Sequence, residues 1–511
     1  MPHAAAAPVG TRHSGWMIVP LAAAQLIIAL DIYIVFVALP QIGRELGFSA
    51  QSLQWVISAY VLVFGGFLLL GGRASDLLGR RRVFLGALGI YAVSSLAGGL
   101  AGNQDTIIGA RAVQGLGGAL LFPATLALIN TRFAEGPPRN RALAIWGGAG
   151  ASGLTLGSLL GGLLTGAFGW SAVFFINVPL AAAVALGALA VIPADSKQER
   201  ARNRNRSFDL PGALTGTAGV TLLVSVLVEG PAVGWDSIGV IASAVVGAAL
   251  LVLFTVVESR VADPLMPLRL FRNRSLRVAV VITFVFMGTF GALPYFETLL
   301  FQDVHGFTAV QTGLAFMVQS VSIFAGTQLG ERVTTKITAR AGLLIGFLVG
   351  AAGTAVLAVP ISAGGSYASL VPGLILMGAG QGVAWTAMWV AAAAGVDRDE
   401  QGIASGMAAT TQQAGYAVGL AILVAIANAG VGGHTGSQLR IALADGIQTT
   451  TFVIAGAILL GALIALTLPS TAKPGAPSPA ADAEKAERRH PRGGSETRAD
   501  ATAREREHYL S

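Results

Sequence analysis

The chain has no cysteine in its 511 residues, which excludes disulfides and thiolate-held metals. Its six histidines, His3, His13, His305, His434, His490 and His508, are scattered, and none pairs at i,i+4, the spacing that lets one helix face grip a metal. No metal and no cofactor is expected. Charge is scarce too. Asp, Glu, Lys and Arg make up 12% of the residues, about half of the ~25% usual in soluble domains. No Gly-x4-Gly-Lys-Ser/Thr run occurs, so a phosphate-cradling loop of that type is missing, and with it that route to ATP as an energy source.

What the chain has instead is apolar length. Hydrophobic residues reach 54% and the mean hydropathy is +0.68. Fourteen continuous apolar runs are read at roughly 16–39, 53–71, 83–101, 106–130, 142–165, 171–192, 211–229, 237–257, 278–301, 311–330, 341–360, 369–394, 402–427 and 448–468. Runs of ~20 residues fit membrane-crossing helices, whereas barrel strands would show ~10-residue alternating segments. The fold class expected is all-α and polytopic. An even number of spans puts both termini on one face. Of the 33 Lys and Arg, 30 fall in loops or tails of that face; Arg44 and Arg440 fall in the opposite loops, and Arg111 inside a span. Both termini are therefore expected in the cytoplasm, and the net charge of +7 is accounted for by loop asymmetry, with no nucleic-acid partner. Met1–Ser14 is small and polar, and Ala22-Ala23-Ala24 lies within the first run, so that run is expected to stay as a helix and not be cleaved as a leader.

Two basic stretches, 193–210 and 258–277, set off the seventh and eighth spans. The organisation expected is an N-tail at 1–15, six helices at 16–192, linkers with two extra helices at 193–277, six helices at 278–468, and a Pro/Ala/charge-rich disordered tail at 469–511. The loops Gly72–Arg82 and Gly330–Arg340 share an outline, a glycine first and basic residues last, as an internal duplication would leave.

Charges inside spans narrow the chemistry. Asp31 stands in the first run, nine residues before Pro40, and Arg111 stands in the fourth, six after Asp105. With Pro40 and Asp105 as boundaries, both lie about 9–13 Å deep by helical rise. A charge at the centre of a span costs about 2.5–3.5 kcal/mol on insertion scales and faces the bundle interior. A pair would offset part of that cost, and an arginine that approaches or leaves a carboxylate changes its proton affinity. Gln114 shares the face of Arg111 at i+3. Glu297, in the ninth span, is a second buried acid at similar depth in the second half. Polar and aromatic residues that could line a cavity are Tyr33, Trp55, Tyr60, Gln114, Gln319, Gln381 and Trp385.

Several motifs resemble those of the major facilitator superfamily. Gly72-Arg73-Ala74-Ser75-Asp76-Leu77-Leu78-Gly79-Arg80-Arg81-Arg82 resembles its short cytoplasmic signature, and Arg111-Ala112-Val113-Gln114-Gly115 a second one. The glycines Gly153, Gly157, Gly161 and Gly162 resemble the antiporter signature of drug exporters, with Ser158 where proline is usual, so the kink expected there is in question. With Leu30-Asp31…Ala38-Leu39-Pro40, Trp55-Val-Ile-Ser-Ala-Tyr60, Asn177-Val178-Pro179 and Phe208-Asp209-Leu210-Pro211-Gly212, the chain is similar to the fourteen-span drug:proton antiporter branch. The resemblance implies a transporter and not an enzyme, with proton-coupled efflux of hydrophobic, often cationic drugs across the bacterial cytoplasmic membrane. It implies Asp31, Glu297 and Arg111 as proton-coupling groups, and Gly72, Asp76, Gly79, Arg80, Gly153, Gly157 and Gly161 as conformational elements. Partners would be hydrophobic substrates, protons and lipid, and the state a monomer. Three alternatives stay open: a dedicated exporter of one endogenous antibiotic or metabolite, a proton-coupled importer, and a non-transporting membrane sensor.

Overall fold

The computed structural model describes residues 15–133, 137–194, 209–261, 264–394 and 401–469. The N-tail to residue 14, most of the 193–210 linker and the tail from residue 470 lie outside the described residues. Among the described residues there is no strand, and fourteen helices are long and apolar enough to cross a membrane. In hydrocarbon every backbone N–H and C=O must be satisfied within its own segment, which is why runs of this composition are helices.

In chain order the helices are α1 Ile18–Leu46, α2 Trp55–Leu78, α3 Arg80–Gly99, α4 Gln104–Arg132, α5 Pro137–Phe168 and α6 Ser171–Val191. Next come α7 Leu210–Val233, α8 Ile238–Arg260, α9 Arg274–Val304, α10 Ala309–Lys336 and α11 Ala339–Ala358. The last are α12 Tyr367–Ala393, α13 Gln401–Asn428 and α14 Gly436–Ala465. Polar caps mark several starts. Asn103 accepts from the Thr106 N–H at the head of α4, and Thr308 with Gln311 forms a reciprocal capping box on α10.

Several boundaries are corrected: the fourteenth helix starts at Gly436 and takes in Arg440, the second runs on to Leu78, so that Gly72 and Asp76 are helical, and the tenth runs on to Lys336. The first helix does not end at Pro40 but runs on to Leu46, where Gly47 takes a left-handed φ of 68° and closes it. Pro40 has no N–H to give the preceding turn, a loss that packing against neighbouring helices makes tolerable in a span. Asp31 therefore lies near the middle of a 29-residue helix, deeper than a Pro40 boundary implied. Ser158 interrupts nothing: α5 is helical for 32 residues.

The helices pack in a consistent pattern, α1 along α5, α2 along α4, α3 along α4, α10 along α12 and α11 along α12. The α1–α5 seam shows how sequence sets distance. A Cβ on Gly153, Gly157 or Gly161 would come within 2.6–2.9 Å of the carbonyls of Leu26, Leu30 and Ile34 in α1, so only glycine allows the two backbones to approach so closely. The inserted pair is different. α8 packs mainly on α7, whereas α7 touches both α2 and α13, with Leu62, Val224, Val228, Ala417 and Ala421 as their shared core. Gly79, at φ 100°, turns the chain in a single residue between α2 and α3. Arg81 donates to the Leu189 carbonyl at the end of α6. Asp76 stands in the last turns of α2, and its side chain lies outside the described set.

Candidate functional site

The functional geometry is a buried polar node in the first six helices. Asp31 (0% exposed) and Arg111 (1% exposed) form an ion pair, Nη1 to Oδ2, at 2.5 Å. The other carboxylate oxygen accepts from Gln114 Nε2 and from Asn177 Nδ2, each at 2.8 Å. Arg111 also donates Nη1 to Gln114 Oε1 (2.7 Å) and Nε to the Val56 carbonyl (2.9 Å), and its guanidinium lies 4.3 Å over the Tyr60 ring. Gln114 Nε2 reaches Ser95 Oγ as well, at 2.8 Å. α1, α4 and α6 thus meet at one carboxylate, and α2 and α3 join them through Arg111 and Gln114.

This arrangement follows from the helix periodicity of α4. Arg111 and Gln114, one turn apart, point the same way, and Gly115 beside them lets α4 close on the α2 backbone at Tyr60. A guanidinium suits the place, since it can hold a carboxylate, a carbonyl and an aromatic face at once. Electrostatically the pair is not symmetric. Asp31 depends on Arg111 for charge balance, whereas Arg111 keeps two further acceptors and a π face if Asp31 is neutralised.

Sequence reasoning named Asp31, Arg111, Gln114 and Tyr60, and the structure brings those four together. It did not assign a role to Asn177 or Ser95. Asn177 was visible as a lone amide in an apolar run, a signal that points to an interior partner. The other residues fall elsewhere. Tyr33 packs against Phe36 with ring centroids 5.8 Å apart. Trp55 leans on the α2–α7–α13 core. Gln319 meets the Met377 sulfur at 3.8 Å. The Gln381 oxygen is buried without a partner among the described residues. Trp385 lies tilted against Phe286 and edge-on to Trp389. Among the described residues no hydrogen bond or ring contact joins these five to the node.

Among the described residues no hydrogen bond or ion pair joins Glu297 to the node. Its side chain is 4% exposed, and neither carboxyl oxygen has a hydrogen-bond partner among the described residues. No residue of the node lines the cavity beside Glu297. The sets α1–α6 and α9–α14 meet mainly along α5 and α10, where a Cβ on Gly162 or Gly313 would come within 2.5–2.6 Å of the carbonyls of Ala309 and Ser158; they also meet at the Arg44 end of α1, where Arg44 pairs with Asp303 (3.2 Å) and Gln302 Nε2 donates to the Val37 carbonyl (2.8 Å). They meet again along α2–α13, where Thr410 Oγ1 donates to the Gly65 carbonyl (3.0 Å).

A buried ion pair held at the convergence of five apolar helices defines a polytopic helical membrane protein with a charged interior. The chain matches the Major Facilitator Superfamily over residues 21–420 and belongs to it. It is 35% identical over 448 residues to a cephamycin export protein of Amycolatopsis lactamdurans, covering 87% of this chain and 91% of that one. It is 36% identical over 464 residues to a puromycin resistance protein of Streptomyces alboniger, covering 89% and 91%. A multidrug resistance protein of Mycobacterium tuberculosis is 33% identical over 425 residues, covering 82% and 77%. The fold is similar to that of a solved nucleoside transporter, with a TM-score of 0.64 at 13% identity over 89% of this chain and 99% of that one. The protein is a multi-pass transporter-family member of the bacterial cytoplasmic membrane.

Proposed function

We propose that this protein exports apolar, often cationic small molecules from the cytoplasm in exchange for protons, acting as a monomer in the bilayer. Two six-helix units, 16–192 and 278–468, rock about a central path, with α7 and α8 inserted between them in sequence. The observation that carries the reading is the Asp31 node: a carboxylate in mid-span, held by Arg111, Gln114 and Asn177. A group so costly to bury is kept in a span for work on charge. The export direction is supported by the exporter and resistance relatives, and the cytoplasmic placement of both termini by the 30 Lys and Arg on their face.

In this mechanism a proton from the outer face neutralises Asp31. Its hold on Arg111 weakens, and Arg111 falls back on Val56 O, Gln114 and Tyr60. The strain is felt by α1, which packs on α5 through the glycine seam and touches α9 through Val37 and Arg44. A change of charge at Asp31 is thereby a change in how the two six-helix units meet. The Gly72–Arg82 segment, the end of α2 and the start of α3 on either side of the Gly79 turn, acts with Asp76 and Arg80 as a cytoplasmic latch. Substrate is bound along the path by the aromatic and amide residues Tyr33, Trp55, Gln319, Gln381 and Trp385, and its arrival favours release of the proton inward.

The test is uptake of a fluorescent cationic drug into inverted membrane vesicles, with and without an uncoupler. Wild type accumulates the dye until the uncoupler is added, and Asp31→Asn, inserted at equal level, does not accumulate it. Uptake that survives the uncoupler sinks proton exchange. A narrower reading, export of one antibiotic, has support in the cephamycin and puromycin relatives. Competition of dye uptake by many unrelated drugs goes against it.

A further inference from the structure

A cavity at the basic end of the first six helices takes no part in the exchange at Asp31. Its volume is about 330 Å³, and its wall is Met17 ahead of α1, Arg81 in the first turn of α3, and the stretch 189–194 at the end of α6. That is the lower end of the range for small organic ligands, ~300–1,000 Å³. Among the described residues Arg81 is the only charged one in the wall. Its Nη2 donates to the Leu189 carbonyl at 2.9 Å, which sets the guanidinium against α6. A guanidinium carries five N–H donors in a rigid fork, so it can keep that bond and hold a phosphate oxygen as well.

Chemistry and level choose the occupant. The rest of the wall is apolar, and Leu189, Ala190, Pro193 and Ala194 within it are exposed. A small soluble anion would leave that surface wet, and a hydrophobic cation would meet the charge of Arg81. An amphiphile with an anionic head suits both parts. Three observations put the cavity at the bilayer surface. It lies where α1, α3 and α6 reach the face that bears 30 of the 33 Lys and Arg. Trp16, beside Met17, is 69% exposed, and tryptophans at span ends sit at headgroup level. Farther along the spans, α3 turns Gly86, Gly89 and Val93 outward, and α6 turns Leu186 outward. A Cβ at Gly86 or Gly89 would meet no atom within 4 Å, so an acyl chain can lie against bare backbone there. Basic pockets between spans at the cytoplasmic surface suit anionic lipid heads. A choline or ethanolamine head brings an ammonium, for which the wall offers no acid among the described residues.

We propose that this cavity seats the head of one anionic phospholipid, its phosphate on Arg81 and its chains along α3 and α6. Bound there, the lipid clips the start of α3 to the end of α6, next to the Gly79 turn. The site stands whether or not Asp31 exchanges protons. The experiment is native mass spectrometry of the full chain in detergent, titrated with phosphatidylglycerol, phosphatidylcholine or glycerol 1-phosphate. One phosphatidylglycerol per protein should bind about tenfold more tightly than phosphatidylcholine, and Arg81→Gln should remove about that factor. Ala190→Trp, which fills the cavity and keeps the charge, should weaken binding as much. Arg260→Gln, at an exposed cation of the same face on α8, should leave the Kd unchanged. Equal affinity for phosphatidylcholine overturns the proposal, as does equal loss in Arg260→Gln, which makes the attraction one of general charge. Undiminished binding in Ala190→Trp overturns it too, since the lipid then sits outside the cavity. Glycerol 1-phosphate binding as tightly as the whole lipid makes this a site for soluble phosphates and also overturns it. If Arg81→Gln does not fold, Ala190→Trp and the lipid comparison decide.

Discussion

Asp31 and Glu297 are both carboxyls buried in apolar spans, and the fold treats them in opposite ways. Asp31 has a counter-charge and two amide donors; Glu297 has neither, only a void the size of a water. One stands where five helices meet, the other in a helix broken by two π turns. A partnered acid transmits its charge state to the helices that hold it, because each partner must move when the charge goes. An acid without partners has no neighbouring side chain to displace, but nothing compensates its charge either. On the proposed reading, the contrast puts the conformational work at Asp31.

The contrast can be broken by substitutions. The largest effect is expected from Arg111→Leu, which strands the Asp31 charge. Loss of one partner of a buried pair costs about 3–5 kcal/mol, visible as a lower melting temperature in detergent and as lost transport; an unchanged melting temperature would mean the pair is not the anchor of this region. Asn177→Ala removes one donor from the same carboxylate and should cost about 1.5–3 kcal/mol, measured in the same way. Glu297→Gln replaces a group without hydrogen bonds by one of nearly the same shape, so melting should shift by no more than about 1 kcal/mol-equivalent. A loss as large as that of Arg111→Leu would show that Glu297 is held as Asp31 is. Smallest of all is Arg44→Ala. Its pair with Asp303 joins α1 to α9 but is mostly exposed on the arginine side, and such bridges contribute about 0–1 kcal/mol; thermal melting at low and high salt would detect a larger share.

The fold was legible because membrane helices announce themselves by length. All fourteen runs are helices, including the two glycine-rich ones, α5 and α13, whose small residues weakened the hydropathy signal but are what close packing uses. The end of α1 was not legible, since Pro40 reads as a terminus and the stop is supplied by Gly47, seven residues after it. Part of the node could be reached from spacing alone: Arg111 and Gln114 share a helix face, and Asp31 stands at comparable depth. Asn177 and Ser95 were beyond such reasoning because they come from other helices, 146 residues from Asp31 and 19 from Gln114 in the chain. Depth also placed Asp31 and Glu297 in one layer, and depth cannot say whether two side chains in a layer face each other. Here one faces the interior of α1–α6 and the other a pocket among α9, α11, α12 and α14.

The most direct test of the account is proton movement on addition of substrate. Liposomes carrying the protein and a lumenal pH dye are given a cationic drug with no imposed gradient. The account predicts that drug entry drives protons out through wild type and through Glu297→Gln, and that Asp31→Asn moves none while still binding the drug. Drug transport by wild type without proton flux, or undiminished flux in Asp31→Asn, would contradict it.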